Sequence, residues 1–260
     1  MLAWHFLSED KRLGYGDGRL VEVGETLECE GEPELCGNGM HGSARLIDAV
    51  HYARGPIVCR VKIEGDVIED YNKICGRRRT VLWMLDATRI LHEFACACAE
   101  DALALVEQPD ERSVAAIEAK RKWLKGEITD KKLDSASAAA WDASQNVAWV
   151  ASAAASAAVR AAARDAAWAA SWAASRDDAR DVAWSAARDA AYAASWAASR
   201  DDARAVARDA AGAVAEAVAW DAAEAAAVDV AWDAAWDAAW AKQNERLTAM
   251  VLDAHENDEE

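Results

Sequence analysis

The sequence predicts an α+β protein in two parts: a small N-terminal α+β domain, then an all-α, alanine-rich helical bundle built from four-residue repeats. Three observations carry this. Eleven of the 13 glycines lie at or before Gly76, and all three prolines at or before Pro109, so turn formers are confined to the first part. Between Ala136 and Ala241, 51 of 106 residues are alanine, with no proline and one glycine, Gly212. That composition strongly favours helix. Charge divides along the same line. Residues 1–107 hold 12 bases and 19 acids, 108–134 hold 7 and 6, and 135–260 hold 10 and 21, which gives -7, +1 and -11, the -17 of the whole chain. The predicted boundaries are a small α+β domain at 1–108, a charged connector at 109–134, an Ala/Trp-rich repeat region at 135–250 and an acidic tail at 251–260.

In the first part, Leu2–Leu7, Leu20–Val23 and Thr26–Glu30 read as strands, punctuated by Gly14, Gly16, Gly18 and Gly24. The run from Cys36 to Ser43, Cys-Gly-Asn-Gly-Met-His-Gly-Ser, reads as a tight loop in which Gly37 and Gly39 can take positive φ. Ser43 is the expected N-cap of a helix reaching about Ala53, because Ala44, Ile47, Val50 and His51 recur at helical spacing. Arg54-Gly-Pro56 stops it. Ile57–Ile63 alternates Ile57, Cys59, Val61 and Ile63 with Val58, Arg60 and Lys62, the pattern of a half-buried strand. Thr80–Leu85 reads as a further strand and Ala87–Val106 as a helix.

Composition excludes several functions. A net charge of -17 and a pI near 4.7 oppose direct binding of a phosphate backbone. No run reaches the roughly 18 apolar residues of a membrane span, and no basic-then-apolar leader opens the sequence, so a cytoplasmic setting is expected. The six cysteines, Cys29, Cys36, Cys59, Cys75, Cys96 and Cys98, are read as reduced thiols. Cys29, Cys36 and His41 lie close together in sequence but lack the paired spacing of a zinc module, so no metal is expected.

The segment from Gly24 to Asp70 carries Cys36, Gly39, Met40 and His41 in a Cys-x-x-Gly-x-His turn, then Tyr52, Val61 and Gly65. It resembles an uncharacterised domain family common in phages and prophages, whose members often carry repetitive C-terminal regions. The likeness implies a phage or mobile-element setting in a bacterial cell and no established activity. The same stretch, Gly37-x-Gly39-Met-His, then Ser43, Val50, Tyr52 and a Val-x-x-x-Gly strand, is similar to the NAD-cradling segment of ADP-ribosyltransferases. That second likeness implies a pocket at Cys36, Gly39, His41 and Tyr52, with NAD as its cofactor and Glu64 or Glu69 as nearby acids. Met40-His41 stands where that family usually has an aromatic residue.

The alanine-rich part repeats every four residues. From Arg164, one column runs through Trp168, Trp172, Arg176, Arg180, Trp184 and Arg188 to Trp232, Trp236 and Trp240. On a helix of 3.6 residues per turn such a column drifts about 40° per step. A long straight face cannot stay buried, so the region is expected to break into several helices, near Ser144–Asn146, Ser175–Asp178, Ser199–Asp202 and Gly212. The many tryptophans need burial or partners. After Arg208 no base follows until Lys242, while Asp221, Asp229, Asp233 and Asp237 recur. Asp229, Asp233 and Asp237 would stand about 6 Å apart along a helix.

These features give a first expectation: a phage accessory protein that acts by binding a host protein. In that role it would be an acidic inhibitor or nucleic-acid mimic, docking through Asp221, Asp229, Asp233, Asp237, Trp232, Trp236 and Trp240. The alternatives are an NAD-using N-terminal domain and a self-associating structural protein, a homo-oligomer held by its tryptophan columns. No catalytic residue is assigned, and no cofactor apart from NAD under the first alternative.

Overall fold

The computed structural model describes residues 1–14, 17–104, 109–140 and 229–259. Two compact units emerge among them, one comprising residues 1–94 with 243–259, the other 95–104, 109–140 and 229–242.

The first unit is α+β. Its strands are β1 (Leu2–Leu7), β2 (Thr26–Glu28), β3 (Met40–Gly42), β4 (Ile57–Glu64), β5 (Ile68–Asp70), β6 (Lys73–Gly76) and β7 (Arg78–Asp86). They form two antiparallel sheets, one in the order β1-β4-β7-β2 and the other β3-β6-β5. Helix α1 (Leu46–His51) packs against β1. The predicted strands at Leu2–Leu7, Ile57–Ile63 and Thr80–Leu85 are present, lying within β1, β4 and β7. The interior face of the larger sheet presents Ala3 and Leu7 from β1, Cys59, Val61 and Ile63 from β4, and Val81 from β7. Leu27, Met40, Ile74 and Val21 complete that core. Its other face carries an aromatic pile. Trp4 meets Trp83 edge-on at 5.6 Å, and the Arg60 guanidinium lies 4.4 Å from the Trp4 ring.

Three local expectations change. Leu20–Val23 is no strand, since Leu20 makes a single bridge to Arg12 and the chain turns at Gly24 with φ +84°. The loop from Cys36 to Ser43 contains β3, which pairs with β6 through Met40–Gly76, His41–Cys75 and Gly42–Ile74. Ser43 does not cap a helix; it exchanges backbone hydrogen bonds with Trp4 at 2.8 and 2.9 Å, so it ties β3 to β1. The N-cap of α1 is Arg45, which makes no side-chain cap bond. The Asn244 side chain instead accepts from the Ile47 N–H at 3.2 Å, satisfying one of the orphan donors of the first turn.

Asn244 belongs to the C-terminal helix, Asp229–Glu259, whose residues from 243 onward lie in this unit. Gln243, Leu247 and Val251 are buried at four-residue spacing, and His255, four further on, stacks on Trp83 at 4.1 Å. Over so few steps the drift of a four-residue column stays within one helix face. The expected acidic tail is helical through Glu259.

The second unit is helical. It holds the rest of α2 (Thr88–Leu103), α3 (Glu111–Leu124), a helix over residues 130–140, and residues 229–242 of the C-terminal helix. Asp110 caps α3, its carboxylate accepting from the Arg112 N–H at 2.8 Å. The expected connector is therefore largely helix, and Ala116, Leu133 and Ala140 make its buried seam with Trp123 and Ile128 against them. Residues 141–228, with the predicted joints and most of the repeats, lie outside the described residues. Among the described residues, no helix is long and apolar enough to cross a membrane.

If the C-terminal helix is part of the N-terminal fold, Leu247→Ala should cost about 2–4 kcal/mol, as truncations of fully buried leucines do. Urea denaturation followed by tryptophan fluorescence measures it. A change below about 0.5 kcal/mol, typical of surface sites, would contradict the assignment.

Candidate functional site

β7 opens with Arg78-Arg79-Thr80. Strand alternation sends one arginine out and the next in. Arg78 is exposed, 3.8 Å from Glu28, while Arg79 is only 3% exposed. Arg79 thus stands on the same interior face as Val81, where its neighbours are apolar. Its Nη1 donates to the main-chain carbonyl of His41 at 2.8 Å, joining the larger sheet to β3 of the smaller one. Its Nε has no hydrogen-bond partner among the described residues. Burial lowers its pKa to about 10, which still leaves the guanidinium charged at neutral pH.

Arg79 lines a cavity of about 840 Å³ whose walls come from both sheets, from residues 12–14, 17 and 19, and from residues 28–30 and 36–39. His5 of β1 and His41 of β3 line it too. Burial, then the positive charge of Arg79 and then His41, hold the His5 pKa well below the ordinary imidazole value. Burial likewise lowers that of His41, against the Gly39 carbonyl, which lies 3.0 Å from Nδ1. A carbonyl can only accept, so Nδ1 carries the proton of the neutral ring.

The four candidate pocket residues, Cys36, Gly39, His41 and Tyr52, all line this cavity. Cys36 is exposed, with φ +63°. The Lys73 ammonium donates to its sulfur at 2.9 Å and lies 4.3 Å from the Tyr52 ring centre. That hydrogen bond, more than any other influence, raises the Lys73 pKa. The Tyr52 hydroxyl donates to Asn72 at 2.9 Å. Gly39 has φ +135°, and a Cβ there would strike the Cys75 sulfur, so no other residue fits. Neither Glu64 nor Glu69 lines the cavity. Glu64 pairs with Lys62 at 2.7 Å, and Glu69 is exposed on β5. The sequence reading missed Arg79 and His5. The signal for His5 was a polar residue in an otherwise apolar strand; Arg79 has no such local signal, because three arginines run together at 77–79.

The cysteines are all thiols, and among the described residues no three of His, Cys, Asp and Glu converge on a metal-sized space. The acidic and aromatic docking residues are described less fully. Asp221 lies outside the described residues. Asp229, Trp232, Asp233 and Trp236 lie on the C-terminal helix, and their side chains lie outside the description. On the same helix Asp237 is exposed and Trp240 half-buried.

Residues 1–93 match a domain family of unknown function, DUF7666. No curated protein and no solved structure matches the chain.

Two outcomes follow from this geometry. Gly39→Ala should destabilise the first unit by about 1–3 kcal/mol, the cost of forcing a side chain into a glycine-only conformation; a thermal melt equal to wild type would contradict it. His5 binds its proton more weakly when folded than when unfolded. Stability should therefore be full above about pH 6.5, the unfolded imidazole value, and fall as pH drops below it. Denaturation midpoints at pH 7.5 and 5.5 measure the loss, and His5→Asn should flatten it.

Proposed function

We propose that the protein works by binding, and that its N-terminal domain is the ligand-binding module, taking a dinucleotide of the NAD class in the cavity. One observation carries this: the four residues of the Gly-x-Gly likeness come together around a single cavity large enough for such a ligand. Its volume lies within the roughly 300–1,000 Å³ of small-molecule sites. In this reading Gly39 lets the ligand approach the turn, His41 and Arg79 supply polar contacts, and Tyr52 with Lys73 forms the rim. We assign no chemical step, because neither candidate glutamate stands at the cavity.

The phage or mobile-element setting belongs to the same proposal, as does a cytoplasmic location. So does the finer architecture of residues 135–250, a bundle of four-residue repeats that serves as a protein-docking or self-associating arm.

Calorimetric titration of NAD into the full chain tests the reading. Saturable binding is expected, weakened at least about tenfold by Gly39→Val, whose side chain would enter the turn. No heat beyond dilution at millimolar NAD would overturn it.

A further inference from the structure

We propose that the cavity holds an oxyanion subsite for a phosphoryl group, with Arg79 as its buried donor. The inference rests on the cavity and on Arg79, and it deepens the dinucleotide reading without depending on it.

A buried charge is costly unless it is paired. Arg79 is almost fully buried, yet among the described residues no carboxylate lies within ion-pair distance of it. Asp17, the carboxylate that acts on it through space, is engaged by Arg19 through two hydrogen bonds of 2.7 Å. A carbonyl supplies the one hydrogen bond described for the guanidinium, and a dipole does not neutralise a cation. A purely structural link between the sheets would be made as well by a neutral donor. Keeping an arginine there supplies a charge that the fold itself leaves uncompensated.

The surrounding field has the same sign. Arg12, Arg19, Arg54, Lys73 and Arg79 line the cavity, against Asp17, Glu28 and Glu30. Five cations less three carboxylates give +2 with neutral histidines, on a chain of net charge -17. A cavity of opposite sign to its protein concentrates anions by field focusing. A dianion matches +2 where a single carboxylate would not. The planar guanidinium offers a fork suited to phosphate oxygens, and His5 lines the same cavity as a ring with one N–H to donate when neutral. The ligand class is therefore a phosphoryl-bearing small molecule, and free phosphate, a sugar phosphate and a dinucleotide share that chemistry.

The test uses the full chain. Inorganic phosphate, pyrophosphate and NAD are titrated separately by calorimetry and thermal shift, against sodium chloride at equal ionic strength. Phosphate or pyrophosphate should bind and raise the melting temperature where chloride does not. Arg79→Lys keeps the charge but loses the fork, and should weaken binding at least about tenfold. Should Arg79→Lys fail to fold, the lining variant Arg54→Gln with Lys73→Gln, one side chain exposed and the other half-buried, decides by a several-fold weakening. Equal shifts from phosphate and chloride would overturn the proposal, as would phosphate affinity unchanged in both variants. Phosphate binding that depends on Arg79 without NAD binding keeps the subsite and ends the dinucleotide reading. NAD binding that ignores Arg79 does the reverse.

Discussion

The N-terminal fold turns on one buried cation. Arg79 carries a full charge into the space between two sheets, at a position where strand alternation calls for an apolar residue. Its bond to the His41 carbonyl joins β7 to β3 and so sets the spacing of the cavity walls. The turn at Gly39, the histidine of β1 and the thiol rim all take their places around that link. The desolvation it suffers is offset in part by the packed core of Val61, Ile63, Val81 and their neighbours. Sites that break a local rule at a cost are where function concentrates.

The second constraint is long-range. Helix α1 has six residues and no side-chain cap of its own. Asn244 closes its first turn from 197 residues away, and Leu247, Val251 and His255 pack on the same unit. Residues 1–94 and 243–259 are therefore two stretches of one folded unit, far apart in the sequence.

Much of this was legible in the sequence, and the failures share a cause. Strands with marked alternation, such as Cys59–Ile63, read directly, because period two is a local signal. The three-residue strands β3 and β5 did not, since they exist through pairing with β6 rather than through their own composition. Ser43 had the residue type and spacing of an N-cap, but its backbone was claimed by Trp4, a tertiary bond that outweighs local preference. Cys36, Gly39, His41 and Tyr52 were named through the likeness to an NAD-cradling segment, and all four line one cavity. Arg79 was missed because nothing in Arg77-Arg78-Arg79 says which arginine turns inward until the register of β7 against β4 is known.

The most direct test of the central claim is hydrogen exchange at the guanidinium Nε–H of Arg79, measured by nitrogen-edited NMR on the full chain and assigned with Arg79→Lys. The account predicts one arginine Nε–H signal that exchanges with solvent far more slowly than those of the exposed Arg12 and Arg78, from a guanidinium still charged at neutral pH. An Arg79 signal that exchanges as fast as theirs would contradict a buried cation joining the two sheets.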